Sequence, residues 1–165
     1  MQAGAASLVV LAVLLVGGMV LRRLPPLRPL RPLIQTAVGG NRDENRYMEL
    51  VVSGATGGVG CIAVAALAKL GYHVVALTGK GSEASWLKGI GAAEVKLRSE
   101  LDLTKIKPLD KATWAGAVDN LGGDVLAWMA STMKFNGVIA SIGLAASASL
   151  NTTVMPFILR GVSLL

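Results

Sequence analysis

The sequence predicts an α/β domain built on a doubly wound parallel sheet, and three observations carry that prediction. A short β-branched run (Leu50, Val51, Val52) meets a cluster of glycines at Gly54, Gly57, Gly58 and Gly60, and an apolar helix pattern follows at once. Strand and helix patterns then alternate to the end of the chain, an alternation that right-handed crossovers turn into a parallel sheet covered on both faces. Composition agrees, because 53% hydrophobic residues with only 4% aromatics describe a small-side-chain interior in which helices lie close on a sheet. A length of 165 residues leaves room for one domain with a full core and an appendage.

In order, the first strand is Leu50 to Val52 and the first helix runs from about Gly58 to Leu70. Val59, Ile62, Ala63, Ala66 and Leu70 are expected on its inner face, with Gly71 as the left-handed stop. Val74 to Leu77 is a continuous apolar second strand. Ser82 is placed to cap a second helix, with Glu83 at its positive end and Trp86, Leu87 and Ile90 facing inward before Gly91 ends it. Glu94 to Leu97 is a third strand, and 98–113, of mixed charge around Pro108, is a surface loop with a helical turn. Trp114 to Asp119 reads as a fourth strand, Val125 to Met133 as a third helix, Gly137 to Ser141 as a fifth strand, and Val162 to Leu165 as the start of a sixth. The expected strand order is 3-2-1-4-5-6, over a domain of residues 48–165.

Two segments precede that domain. Residues 3–21 carry no charge and, at about 1.5 Å per residue, are just long enough to cross a hydrocarbon core as a helix, so 1–23 is a candidate membrane anchor. Arg22, Arg23, Arg28 and Arg31 follow it, which would keep the rest of the chain on the cytoplasmic side. A helix packed on its own domain or on a partner is the alternative. Residues 24–47 open with four prolines in ten residues and close on polar turn material, the composition of a semi-rigid linker.

The net charge of +6 does not indicate nucleic acid, because four of the sixteen basic residues sit beside the apolar segment and aromatics for base stacking are few. A single cysteine, Cys61, and a single histidine, His73, cannot build a zinc site or an internal disulfide. No pair of carboxylates and no Ser/His/Asp set can be assembled. Chemistry is therefore sought at the carboxyl ends of the strands, where doubly wound sheets bind ligands.

After strand one, the spacing Ala55, Gly57, Gly60 fits a dinucleotide fingerprint, and Gly58, Gly60, Ala63 fits it in a shifted register. In either register the glycines let the backbone approach a pyrophosphate at the helix N-terminus. After strand two the chain reads Leu77, Thr78, Gly79, Lys80, with no acid for an adenosine 2′-hydroxyl. A hydroxyl and an ammonium there suit a 2′-phosphate, so the expected cofactor is NADPH. After strand four comes Asp119, either orienting a ribose or capping the next turn. Gly122, Gly123 and Gly143 are expected to leave open space for a flat nicotinamide-ribose.

The blocks VVSGATGGVG, LAKLGYHVVALTGK, WLKGIGAAEV, WAGAVDNLGG and TTVMPFILRGVSLL resemble, in register from about Leu50 to Leu165, the nucleotide-binding domain of zinc-independent medium-chain reductases. The resemblance is to the quinone-oxidoreductase-like group that includes acrylyl-CoA reductase. It implies an NADPH-dependent oxidoreductase with a Rossmann domain, reducing an activated carbon–carbon double bond of an enoyl-CoA or a quinone-like acceptor, without a metal. Carried onto this sequence, Ser53, Ala55, Thr56, Gly57, Gly58, Val59 and Gly60 would hold the pyrophosphate, and Thr78 and Lys80 the 2′-phosphate. Gly143, Leu144, Phe157, Ile158, Leu159 and Arg160 would line the nicotinamide, although the last four also read as core positions and a surface charge.

The sequence departs from that family by lacking the barrel-like catalytic domain before the sheet and by stopping at Leu165, inside the sixth strand. Half of the active-site cleft is therefore expected, with little turnover by the chain alone. A non-catalytic, membrane-anchored nucleotide-binding module is the rival expectation, and pairing of copies through the sixth-strand edge is a third.

Overall fold

The computed structural model describes residues 47–165. The readings of 1–23 as an anchor and of 24–47 as a linker lie, but for Tyr47, outside the described residues. Six parallel strands form one sheet in the order β3-β2-β1-β4-β5-β6. They are β1 (Glu49–Ser53), β2 (His73–Thr78), β3 (Glu94–Leu97), β4 (Trp114–Asp119), β5 (Met133–Ser141) and β6 (Ser163–Leu164). Helices α1 (Gly58–Lys69), α2 (Ala84–Gly89), α3 (Gly123–Thr132) and α4 (Met155–Arg160) connect them, and the β3–β4 crossover is a loop opening on a 3-10 turn at Arg98–Glu100. Among the described residues no helix is long and apolar enough to cross a membrane.

Neighbouring residues of each strand point to opposite faces, so the two faces bury separate cores. Val52, Val74 and Ala76 meet Ala63, Val64 and Leu67 of α1 and Leu87 of α2. On the other face Val51, Val75, Leu77 and Ile139 meet Val125, Leu126 and Met129 of α3, with Phe157 of α4 packed at the margin. Two crossovers running outward from β1 to β3 and two running from β4 to β6 produce this split, and the reversal between β1 and β4 opens the sheet's carboxyl end.

The structure corrects three details. The buried face of α1 is Gly60, Ala63, Val64 and Leu67, and Val59 is exposed. Close contact of Gly60 with the end of β1 sets the rotation of a helix that is apolar on every side. Ser82 caps nothing: a 3-10 turn (Gly81–Glu83) precedes α2, Leu87 is fully buried and Trp86 is 45% exposed. β5 begins at Met133 rather than Gly137, because a register shift against β4 between Trp114 and Gly116 takes up the irregular start.

Candidate functional site

The turn from β1 into α1 rests on three glycines with different duties. Gly54 (φ +58) makes the sharp turn, in a left-handed conformation that side chains disfavour. At Gly60 a Cβ would collide with the Gly54 carbonyl oxygen and lie 2.9 Å from Ala55 Cα, so its absence lets the helix sit on the strand end. At Gly58 a Cβ would meet no protein atom within 4 Å, because that position faces open space. Helix-to-strand packing at Gly60 fits the register Ala55, Gly57, Gly60, although the turn itself is made one residue earlier.

α1 has no side-chain cap and no acidic residue in its first turn. The Gly57 N–H donates to the Gly54 carbonyl (2.8 Å) and the Cys61 N–H to the Gly57 carbonyl (2.9 Å), whereas the amides of Gly58, Val59 and Gly60 have no acceptor among the described residues. These amides border a cavity of about 370 Å³ whose walls include Thr56, Gly57, Gly58, Val59 and Gly60 on one side and Asn120, Gly143 and Leu144 on the other. Orphan donors at a helix N-terminus, with the positive end of its dipole, form an anion site.

The opposite wall is tied to β1 by a polar knot. Fully buried Asp119 accepts the Ser53 hydroxyl at Oδ1 (2.7 Å), the Leu121 N–H at Oδ1 (3.2 Å) and the Gly122 N–H at Oδ2 (2.8 Å). The Ser53 hydroxyl in turn accepts the Asn120 N–H (2.9 Å), and Asn120 Nδ2 donates to the Ser53 carbonyl (2.6 Å). Asp119 is thus a cap for the turn into α3, and the ends of β1 and β4 are held at fixed separation. The loop after β5 lies directly on this knot, with the amides of Ile142 and Gly143 donating to the Asp119 carbonyl (2.8 and 3.2 Å).

Several residues expected at the cofactor lie off the walls of this cavity. Ser53 is fully buried with its hydroxyl occupied, and Ala55 is fully buried with its amide donating to the Leu77 carbonyl (3.1 Å), so neither faces the cavity. Thr78 is buried too: its Oγ1 accepts the Lys80 N–H (3.0 Å) and lies 3.4 Å from the Thr56 hydroxyl. The space beside Gly143 and Gly122 is filled by protein, since a Cβ would lie 2.6 Å from the Asn120 carbonyl at Gly143 and would collide with the Ser147 carbonyl at Gly122. Arg160 is not among the walls of the cavity at the β1–α1 turn. Its guanidinium donates to the carbonyls of Ser131 and Met133 (2.9 Å each) and Asp110, clamping the foot of α4 to the start of β5. Phe157 packs on the core, and Ile158 and Leu159 are exposed on α4, away from the cavity walls.

Lys80 is exposed at the carboxyl end of β2, and β3 ends beside it, with Thr78 opposite Leu97. Arg98 follows Leu97 and is exposed, which puts a second cation at the same corner of the sheet. Sequence reading missed Arg98, because only the β2–β3 register reveals the neighbour. It also missed Asn120, which a polar residue directly after a buried strand end could have signalled. His73 lies at the opposite end of the sheet, with Nε2 3.4 Å from a Glu94 carboxylate oxygen.

A second cavity, of about 290 Å³, shares Ile142, Gly143 and Leu144 with the first and continues along Ser147 to Leu150. These two depressions meet at the topological switch point.

No family model matches the chain. Acrylyl-CoA reductase AcuI of Ruegeria pomeroyi is 47% identical over 116 residues, which is 70% of this chain and 35% of that protein. Among solved structures, Escherichia coli K-12 YhdH with bound NADPH is 49% identical at a TM-score of 0.69, over 73% of this chain and 36% of that one. Bacillus subtilis YhfP with NAD bound is 39% identical at a TM-score of 0.71, over 100% of this chain and 44% of that one. The chain spans about a third of the length of the curated relatives it matches. Over the matched stretch the chain is similar to proteins named acrylyl-CoA reductase and putative quinone oxidoreductase, and to structures of such relatives with NADPH or NAD bound.

Proposed function

We propose that residues 48–165 are the NADPH-binding domain of an oxidoreductase that reduces the activated double bond of an acrylyl-CoA-like enoyl thioester, with a quinone-type acceptor as the alternative substrate. The observation that carries this reading is the trio of acceptor-free amides at Gly58, Val59 and Gly60, set against an open surface that a Cβ at Gly58 would obstruct. We assign the pyrophosphate to these amides and to Thr56 and Gly57. Lys80 and Arg98 are assigned the 2′-phosphate, and no carboxylate stands among Thr78, Gly79 and Lys80 to favour NAD. Gly143 and Leu144, where the two cavities join, are assigned to the nicotinamide end.

When bound, the cofactor supplies hydride, and the protein's share is binding, orientation and exclusion of water. The Ser53–Asp119–Asn120 knot contributes rigidity, holding the two walls so that binding needs little reorganisation. Both cavities are open, so water reaches the acceptor side and turnover by the 165-residue chain alone is expected to be low. Calorimetry on this chain tests the cofactor reading. NADPH should bind more tightly than NADH, and Lys80→Asp should narrow the ratio by about tenfold, the scale of a charge-assisted phosphate contact. An unchanged ratio removes Lys80 from the site. Absence of NADPH binding removes the reading.

A further inference from the structure

Asn136 and Gly137 form the only Asn-Gly pair in the sequence. They stand at the irregular start of β5, where the ladder with β4 is interrupted: Met133 pairs with Trp114 and Val138 with Gly116, leaving 134–137 against Ala115 alone. Pairing with β6 begins only at Val138. The Asn-Gly pair is therefore held in no residue-for-residue register on either side. Asn136 has φ +57, and among the described residues no other residue besides glycine holds a left-handed backbone. Asparagine tolerates that conformation better than most residues, which explains its place there.

Nor is its side chain tied. Asn136 is exposed, and its amide makes no hydrogen bond among the described residues. Its Oδ1 overhangs Gly161, where an added Cβ would lie 2.8 Å from it. An unbonded side-chain amide leaves Cγ open to the next main-chain nitrogen, and glycine, having no Cβ, gives that nitrogen the least hindered approach. The other described asparagines each lack a condition. Asn120 is tied by Nδ2 to the Ser53 carbonyl (2.6 Å) and precedes Leu121, whereas Asn151 is exposed but precedes β-branched Thr152.

We propose that Asn136 deamidates spontaneously through a cyclic imide, with water as co-reactant, and that the conversion loosens the edge formed by α4 and β6. The Gly137 nitrogen bonds to Asn136 Cγ and gives up its proton, and the side-chain nitrogen leaves as ammonia, closing a succinimide. Water then opens the ring. Cleavage between Cγ and nitrogen gives aspartate, and cleavage at the main-chain carbonyl gives isoaspartate, whose backbone runs through Cβ and is longer by one carbon. No redox change occurs. Both products replace a neutral amide by a carboxylate beside Gly161, and the isoaspartyl form also displaces the foot of β5. Arg160, the neighbour of Gly161, is anchored on the Met133 carbonyl at 2.9 Å, so the change falls on the contact between β5 and α4.

Ageing the purified 165-residue chain at mildly alkaline pH, in buffer and in urea, tests this. Cleavage after Lys134 and Arg160 releases one peptide that holds both Asn136 and Asn151, so fragment masses compare the two positions within one molecule. The folded chain should gain the amide-to-acid mass difference at Asn136 and keep Asn151 intact, and isoaspartyl methyltransferase should label that peptide. Asn136→Gly, which suits the left-handed backbone, should abolish the label. The urea midpoint should fall as the native chain converts and stay constant in the aged Asn136→Gly variant. Conversion at Asn120 or Asn151 ahead of Asn136, conversion confined to the urea-unfolded chain, a label that survives Asn136→Gly, or an unchanged midpoint in converted protein would each overturn the proposal.

Discussion

The corner between β1 and α1 and the edge formed by α4 and β6 are built on opposite plans. At the corner the walls are backbone and small side chains, and the amides of Gly58, Val59 and Gly60, without an acceptor among the described residues, border a cavity. At the edge, Ile158 and Leu159 stand 73% and 53% exposed, and a single polar anchor, Arg160, fixes the helix from beneath. The contrast separates two properties that a sequence reader tends to merge. The TTVMPFILR block is among those that carry the resemblance, yet Phe157 packs on the core and Arg160 anchors the helix, whereas the sparse glycine turn shapes the cavity between β1 and β4.

The strongest way to break this comparison is to add one carbon at two glycines of the same turn. Gly60→Ala places a Cβ against the Gly54 carbonyl and Ala55 Cα, backbone atoms that cannot step aside, and should cost about 3 kcal/mol in urea unfolding. Gly58→Ala meets no protein atom, so stability should hold within about 1 kcal/mol while NADPH affinity falls about tenfold. Equal stability losses at the two positions would mean that the turn has no division between packing and binding.

Arg160→Met is the matching test at the edge. It removes hydrogen bonds from one guanidinium to three main-chain carbonyls and should cost about 2 kcal/mol of stability. NADPH affinity should stay within about twofold, since the clamp lies at the amino end of β5, across the sheet from the cavity. A collapse of NADPH binding in a folded variant would return Arg160 to the site.

The strand order and most element positions were legible because the strands are continuous apolar runs bounded by glycine, and a short strand followed by a helix pattern admits few topologies. The face of α1 was not. GVGCIAVAALAK is apolar on every side, so periodicity carries no phase, and the rotation is decided by a contact between Gly60 and the strand end that exists only in three dimensions. Ser53, Ala55 and Thr78 illustrate the converse: each stands in the right place in the sequence for a phosphate contact, but alternation along a buried strand end turns it inward. Lys80 and Arg98 are eighteen positions apart, and only the register of β2 against β3 makes them neighbours.

The other end of α1 offers the finest contrast with the cradle, because there the helix closes on its own core. The Tyr72 N–H donates to the Leu67 carbonyl (3.2 Å) behind Gly71, and the ring packs on the core beneath the helix. Burial pushes its phenol up to about 12. Ionisation in the unfolded chain begins near pH 10, so the unfolded state releases its proton first and is favoured as the pH rises. The contribution of Tyr72 is fully present below about pH 10 and is lost progressively towards about pH 12. Partial exposure of the ring keeps the effect small. Urea midpoints followed from pH 8 to about pH 11 should fall in the native chain and fall less in Tyr72→Phe, which has no proton to lose. Parallel declines would assign the alkaline loss to the lysines, and NADPH affinity, which depends on the opposite end of the helix, should be the same in both proteins at neutral pH.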